Sequence, residues 1–166
     1  TERRRAEEKI RYLSHFDKLT GLYNRSFFEE EVKRLDKKEY LPISIIIGDV
    51  NGLKLVNDAF GHREGDRLLL RATQILKDSC RQEDIIARWG GDEFIILLPH
   101  TFHQQALQLC QRIKNACQQS ESEPIQVSIA LGTASKETVD ENIFTIIKET
   151  DDRMYSNKVQ EHSCNA

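Results

Sequence analysis

The hydrophobic positions of the chain form strand-like runs separated by helix-like stripes. Buried-strand patterns occupy residues 43–49, 84–88, 93–98 and 125–132, and the last of them ends at a glycine, Gly132. Between and around these runs, apolar residues recur every three or four positions, which is the spacing of amphipathic helices. The pattern therefore predicts an α/β sandwich, in which helices cover a sheet.

The second and third predicted strands flank a glycine pair, so they are expected to form a β-hairpin. Asp92 and Glu93 lie where the turn enters the second of these strands, and residues 94–98 are apolar at every position. Adjacent carboxylates at the edge of such a core are costly unless a cation or a donor satisfies them. The alternative is an acidic hairpin tip in water.

A further acid, Asp49, ends the first predicted strand. One acid at a strand end and an acid pair on a hairpin are a plausible two-metal site for phosphoryl or nucleotidyl transfer.

Composition limits the other possibilities. The chain has 166 residues, 39% hydrophobic and 31% charged, which fits one globular domain. Its net charge of −3 gives no general attraction to nucleic acid or acidic membranes, and no apolar run approaches the ~20 residues of a membrane span. The four cysteines lack metal-ligand spacing, so reduced thiols in a cytoplasmic protein are the simplest interpretation.

Residues 90–94 have the sequence Gly90-Gly91-Asp92-Glu93-Phe94, the five-residue motif for which the GGDEF domains are named. The chain resembles those domains, which are the diguanylate cyclases of bacterial signalling. Asp17 to Arg25 reads as the family's D-x-L-T-G-L-x-N-R, and residues 49–62 follow D-x-D-x-F-K-x-x-N-D-x-x-G-H with Asn51 for an acid and Leu53 for Phe. Residues 151–158 resemble the closing D-x-A-(hydrophobic)-Y-x-A-K. The usual Gly-Arg-Asn is absent after it, and His162 falls where the arginine would be.

The resemblance implies the nucleotidyl-cyclase, polymerase-palm-like fold, with a mixed, mainly antiparallel sheet flanked by helices. It divides the chain into the end of a signalling helix at 1–16, a catalytic domain at 17–160 and a tail at 161–166. Residues 6, 10 and 13 repeat as in a coiled-coil seam, although an ordinary surface helix fits them nearly as well. An upstream sensor domain is expected in the full-length protein.

By the same resemblance, the domain converts two GTP into cyclic di-GMP and two pyrophosphates at the interface of a homodimer. Two Mg²⁺ or Mn²⁺ per site are expected on Asp49, the Val50 carbonyl, Asp92 and Glu93, with Asp92 as proton acceptor and Glu93 as the next candidate. Lys54 is expected near the triphosphate as a catalytic cation, and Lys158 on the terminal phosphates. The remaining expected substrate contacts are Asn57 and Asp66 at the guanine edge, and His62, Gly90 and Gly91.

An inhibitory site for the product is implied at Arg81-x-x-Asp84, with Arg112 reaching the same kind of site on a neighbouring domain. Two other functions remain open: a catalytically silent receptor for cyclic di-GMP, and a GTP-binding regulator of a fused phosphodiesterase.

Overall fold

The computed structural model describes residues 1–123 and 125–164 of the chain. In order, these residues form α1 (Glu2–His15), α2 (Arg25–Leu35), β1 (Ile43–Val50), α3 (Leu53–Phe60), α4 (His62–Ser79), β2 (Ile85–Arg88), β3 (Glu93–Leu98), α5 (His103–Gln119), β4 (Ile129–Lys136) and α6 (Ile143–Cys164). A short 3₁₀ helix, Lys38–Tyr40, precedes β1. None of the helices described is both long and apolar enough to span a membrane.

The strands form one sheet in the order β2-β3-β1-β4, and its three strand pairs are antiparallel. A single parallel bridge, between Tyr23 and Ala87, lies on the other side of β2. The predicted mixed, mainly antiparallel sheet is therefore confirmed.

Helices cover both faces of this sheet, which explains why β1 and β3 are apolar at nearly every position. Ile46 and Ile96 pack on one side in a cluster shared with α4 and α5. Ile45, Ile47 and Ile95 pack on the other side in a cluster shared with α2 and α6. Alternate residues of a strand point to opposite faces, so one continuous apolar run supplies both layers of the predicted sandwich.

The last strand begins and ends four residues later than predicted. Ile129 pairs with Val50, the last residue of β1, so residues 125–128 extend past the end of that strand. Gly132 does not end β4 but lies within it. A Cβ at Gly132 would meet the backbone nitrogen of Met154 and lie 2.7 Å from the Thr150 carbonyl oxygen. This glycine therefore marks the close approach of α6 to the strand.

The predicted tail at 161–166 lies partly within the described residues. Residues 161–164 continue α6, and Glu161 pairs with Lys114 of α5 at 3.2 Å, so this part is helical; residues 165–166 lie outside the described part. At the other end, α1 buries none of its residues. The Tyr12 ring stacks on Phe16, and Phe16 stacks on Tyr23, which joins α1 to the domain.

Candidate active site at the ends of β1 and β3

Three acids meet where β1 ends and β3 begins. Asp49 and Glu93 are register partners on the two strands, and the Val50 N–H donates to the Asp92 carbonyl at 2.8 Å. One carboxylate oxygen from each of Asp49, Asp92 and Glu93 lies within 4.8 Å of the others. Asp49 is buried, with 6% of its surface exposed, and the other two acids are half-buried. The pairing of the strands therefore creates the cluster that the sequence predicted.

The cluster carries excess negative charge. Burial raises the pKa of Asp49, and the charge of Asp92 adds to this effect although a hydrogen bond from Lys158 opposes it. Burial also raises the pKa of Glu93, together with the charges of Asp49, Asp151 and Asp92. Sequence reasoning missed Asp151, although its position in the closing motif was a signal.

The two carboxylate oxygens of Asp49 differ in their hydrogen bonding. Oδ2 of Asp49 accepts a hydrogen bond from Lys158 Nζ at 2.9 Å, whereas its Oδ1 is buried and has no hydrogen-bond partner among the described residues. Three carboxylates and one ammonium leave two formal negative charges. Hard oxygen ligands with an unsatisfied buried oxygen fit a divalent cation such as Mg²⁺ or Mn²⁺.

Lys158 reaches the cluster from α6. Burial acts to lower its pKa, but the hydrogen bond and charge of Asp49, with Asp92 and Glu93, outweigh burial and raise the pKa above the ordinary value. The structure thus places this predicted phosphate ligand on the acid that is predicted to hold metal.

The hairpin is held by Arg88, which sequence reasoning passed over although it opens the motif stretch. Arg88 Nη2 donates to the Gly91 carbonyl at 2.7 Å, and its Nη1 contacts Asp17 Oδ2 at 3.3 Å. The Arg25 guanidinium lies 3.9 Å from the centre of the Trp89 ring. The entry motif at 17–25 therefore braces the glycine turn, and Gly90 and Gly91 are both exposed at its tip.

The two predicted guanine contacts lie on adjacent helices. Asn57 is half-buried on α3, and Asp66 is exposed on α4 directly after Gly65. A Cβ at Gly65 would lie 2.8 Å from Asn57 Cγ, so the glycine leaves space for this amide. Lys54 and His62, in the first turns of α3 and α4, are exposed and form no ion pair among the described residues.

A cavity of about 760 Å³ adjoins the end of β1, and Asn51, Gly52, Ser128 and His162 are among its lining residues. The Asn51 amide donates to Ser128 Oγ at 2.9 Å, so this side chain turns toward the segment before β4.

The predicted product-site residues gather at the end of α4. The Arg81 N–H donates to Asp84 Oδ2 at 2.8 Å, and Arg112 Nη2 donates to the Ser79 carbonyl at 2.8 Å. Burial raises the pKa of Asp84, an effect that the charge of Glu83 increases and that Arg81 and Arg112 oppose. Arg112 therefore contacts the end of α4 in its own chain. The Arg81 guanidinium remains largely exposed.

Comparison with known proteins identifies the family of the chain. The sequence model described as "Diguanylate cyclase, GGDEF domain" matches residues 14–164. Diguanylate cyclase DgcM of Escherichia coli K12 is 33% identical over 163 residues, which are 95% of this chain and 39% of DgcM. Diguanylate cyclase DosC of the same strain is 34% identical over 137 residues, 77% of this chain and 30% of DosC. The chain thus spans less than half the length of these relatives.

Solved structures show the same fold. Diguanylate cyclase SiaD of Pseudomonas aeruginosa, in complex with its activator SiaC, superposes with a TM-score of 0.81 at 26% identity, over 96% of this chain and 64% of SiaD. The coiled coil and GGDEF domain of DgcB from Caulobacter crescentus, in complex with c-di-GMP, gives a TM-score of 0.86 at 20% identity, over 96% of this chain and 88% of that one.

Proposed function

Because the chain belongs to the GGDEF domain family, we propose that it is an active diguanylate cyclase, which condenses two GTP into cyclic di-GMP and two pyrophosphates. The observation that carries the proposal is the cluster of Asp49, Asp92 and Glu93, in which a buried carboxylate oxygen of Asp49 has no hydrogen-bond partner among the described residues. A silent domain has no need to retain three mutually repelling acids in this position.

In this mechanism, two Mg²⁺ would be held by Asp49, Asp92, Glu93 and the Val50 carbonyl, and when bound they would neutralise charge on the triphosphate and lower the pKa of the attacking 3′-hydroxyl. Asp92 accepts the proton of that hydroxyl, with Glu93 as the alternative acceptor. Lys158, which donates a hydrogen bond to Asp49 in this structure, contacts the terminal phosphates. Lys54 approaches the triphosphate from α3.

Guanine is read by Asn57 and Asp66, because a carboxylate accepts hydrogen bonds from guanine N–H groups that adenine lacks. His62, Gly90 and Gly91 complete the substrate contacts, the last two by leaving space beside the hairpin backbone. A single domain holds one GTP, so turnover requires a second copy that presents its own GTP. The exposed Ile10 and Leu13 on α1 favour pairing of this helix with that of another copy.

The test is to incubate the purified domain at high concentration with GTP and Mg²⁺ and to separate the products by chromatography. We expect cyclic di-GMP, formed at a rate that rises more steeply than linearly with protein concentration. Absence of product across the whole concentration range would overturn the proposal.

A receptor for cyclic di-GMP is the second candidate, and the exposed Arg81 beside Asp84 and Arg112 supports it. Tight binding of cyclic di-GMP without turnover, lost in Arg81→Ala, would favour this function. The third candidate, a GTP-binding regulator of a fused phosphodiesterase, predicts GTP binding without turnover.

If the domain is a cyclase, Arg81→Ala is expected to remove product inhibition and leave the initial rate unchanged. An arginine contact to phosphate or guanine contributes roughly 1.5–3 kcal/mol, so the inhibition constant should rise by at least tenfold. Initial rates at increasing cyclic di-GMP concentration provide the measurement. Lys77→Ala, which removes an exposed cation from the last turn of α4, is the matched control and should be inhibited as the wild type is.

Gly65→Ala is expected to raise the KM for GTP about tenfold, because the new Cβ would displace the Asn57 amide. Steady-state kinetics would measure the effect. The control is Ala59→Ser, which changes an exposed residue of α3 outside the proposed site. An unchanged KM in Gly65→Ala would contradict the assignment of Asn57 to guanine.

A further inference from the structure

Two side chains of α6 hydrogen-bond to the backbone of β4. Arg153 Nη1 donates to the Thr133 carbonyl at 2.8 Å, and Asn157 Nδ2 donates to the Leu131 carbonyl at 2.7 Å. In the described sheet β4 has a neighbouring strand only on its β1 side, so half of its carbonyls need partners of another kind. The two helix side chains supply such partners for the Thr133 and Leu131 carbonyls.

The spacing of these contacts fixes the helix along its axis. Residues 153 and 157 are four apart on a helix, a rise of about 6 Å, and residues 131 and 133 are two apart on a strand, about 6.6 Å. The two periods match, so both hydrogen bonds form in one register. Gly132 lies between the two carbonyls and admits the backbone of Met154, which brings the helix close enough for these bonds.

This register decides where Lys158 lies. Lys158 follows Asn157 directly, and its Nζ is 2.9 Å from Asp49 Oδ2. Asp49 pairs in the sheet with Ala130, the neighbour of Leu131. A slip of one helical turn, about 5.4 Å, would carry the ammonium beyond hydrogen-bond reach of the acid cluster.

We propose that Arg153 and Asn157 are positioning residues, which fix α6 on β4 in the register that delivers Lys158 to Asp49. Both residues depart from the closing pattern that this segment resembles, which has alanine at the two positions. The consequence for catalysis rests on the proposed function, in which Lys158 contacts the phosphates of GTP.

The first test is a double-mutant cycle on the binding of 3′-deoxy-GTP with Mg²⁺, a nucleotide that carries the triphosphate but lacks the attacking hydroxyl. Asn157→Ala is expected to weaken binding roughly fivefold, the effect of one lost hydrogen bond, and Arg153→Ala to act in the same direction. In a Lys158→Ala background, neither substitution should have any further effect. Equal weakening in both backgrounds, or none in the wild-type background, would overturn the inference.

The second test needs no nucleotide and separates this inference from the proposed function. The ζ-ammonium signal of Lys158 in ¹⁵N NMR reports its hydrogen bond to Asp49, and we expect the signal to be lost in the Arg153→Ala/Asn157→Ala variant. Lys148→Ala/Gln160→Ala removes one cation and one amide from exposed positions of the same helix and should retain it. If the wild type binds no nucleotide, the proposed function fails, and the Lys158 signal alone then tests the positioning role. Persistence of this signal in the Arg153→Ala/Asn157→Ala variant would overturn that role.

Discussion

Glu93→Gln is expected to reduce cyclic di-GMP synthesis about 10³-fold or more and to raise the melting temperature of the metal-free domain. The loss of activity follows because the amide removes a metal ligand and a candidate proton acceptor, a change that amounts to several kcal/mol in the transition state. The gain in stability follows because burial and three acidic neighbours raise the pKa of Glu93, which means that its charge opposes folding at neutral pH. Because Glu93 is only half-buried, solvent screens these repulsions, so the gain from removing the charge is expected to be small, at most about 1 kcal/mol.

Two measurements check this expectation: the initial rate with GTP and Mg²⁺, and thermal unfolding with and without Mg²⁺. Mg²⁺ should raise the melting temperature of the wild type. At a Mg²⁺ concentration of 100 times the dissociation constant, the free energy of unfolding should increase by about 2.7 kcal/mol. Mg²⁺ should stabilise Glu93→Gln less. Asp92→Asn should likewise lose activity and be stabilised less by Mg²⁺ than the wild type is. Glu83→Gln, an exposed acid ahead of the hairpin, is the control and should change neither quantity. Full activity in both Glu93→Gln and Asp92→Asn would refute the mechanism.

Gly132→Ala is expected to destabilise the fold by about 3 kcal/mol or more. The added methyl group meets backbone atoms of Met154 and Thr150, and backbone cannot rotate away as a side chain can. Either α6 moves off the sheet, which opens the packing around Met154, or the strand deforms. The free energy of unfolding in urea measures the cost.

The matched control is Gly91→Ala, because a Cβ there has no neighbour within 4 Å. Its stability should stay within about 0.5 kcal/mol of the wild type. Unchanged stability in Gly132→Ala would show that α6 can shift along β4 at little cost, and it would also remove the basis for the register that Arg153 and Asn157 are proposed to fix.

The residues of the acid cluster could be predicted because their signal is local. Asp49 ends one apolar run, and Asp92 and Glu93 begin another after a glycine turn. An apolar run with an acid at one end predicts both a strand and the position of the carboxylate along that strand. The antiparallel register that places Asp49 opposite Glu93 is not local, since it depends on the pairing of segments more than 40 residues apart.

The boundaries of β4 show where local pattern misled. Residues 125–128 alternate as a strand does, but a strand needs a partner, and β1 ends opposite Ile129. Gly132 was interpreted as a terminator because glycine disfavours strands, whereas in the fold it is the point of contact with α6. A glycine that ends an element and a glycine that admits another element look alike in sequence.

The sequence by itself determined the fold class, the family and the identity of the charged residues, because apolar periodicity and short motifs are properties of neighbouring residues. Only the tertiary structure decided how those residues are used. It put Lys158 on Asp49, Arg88 on Asp17, and the Asn157 amide and the Arg153 guanidinium of α6 on β4. Each of these contacts joins distant or separately folded elements, so it is fixed by packing and strand register, which no local pattern encodes.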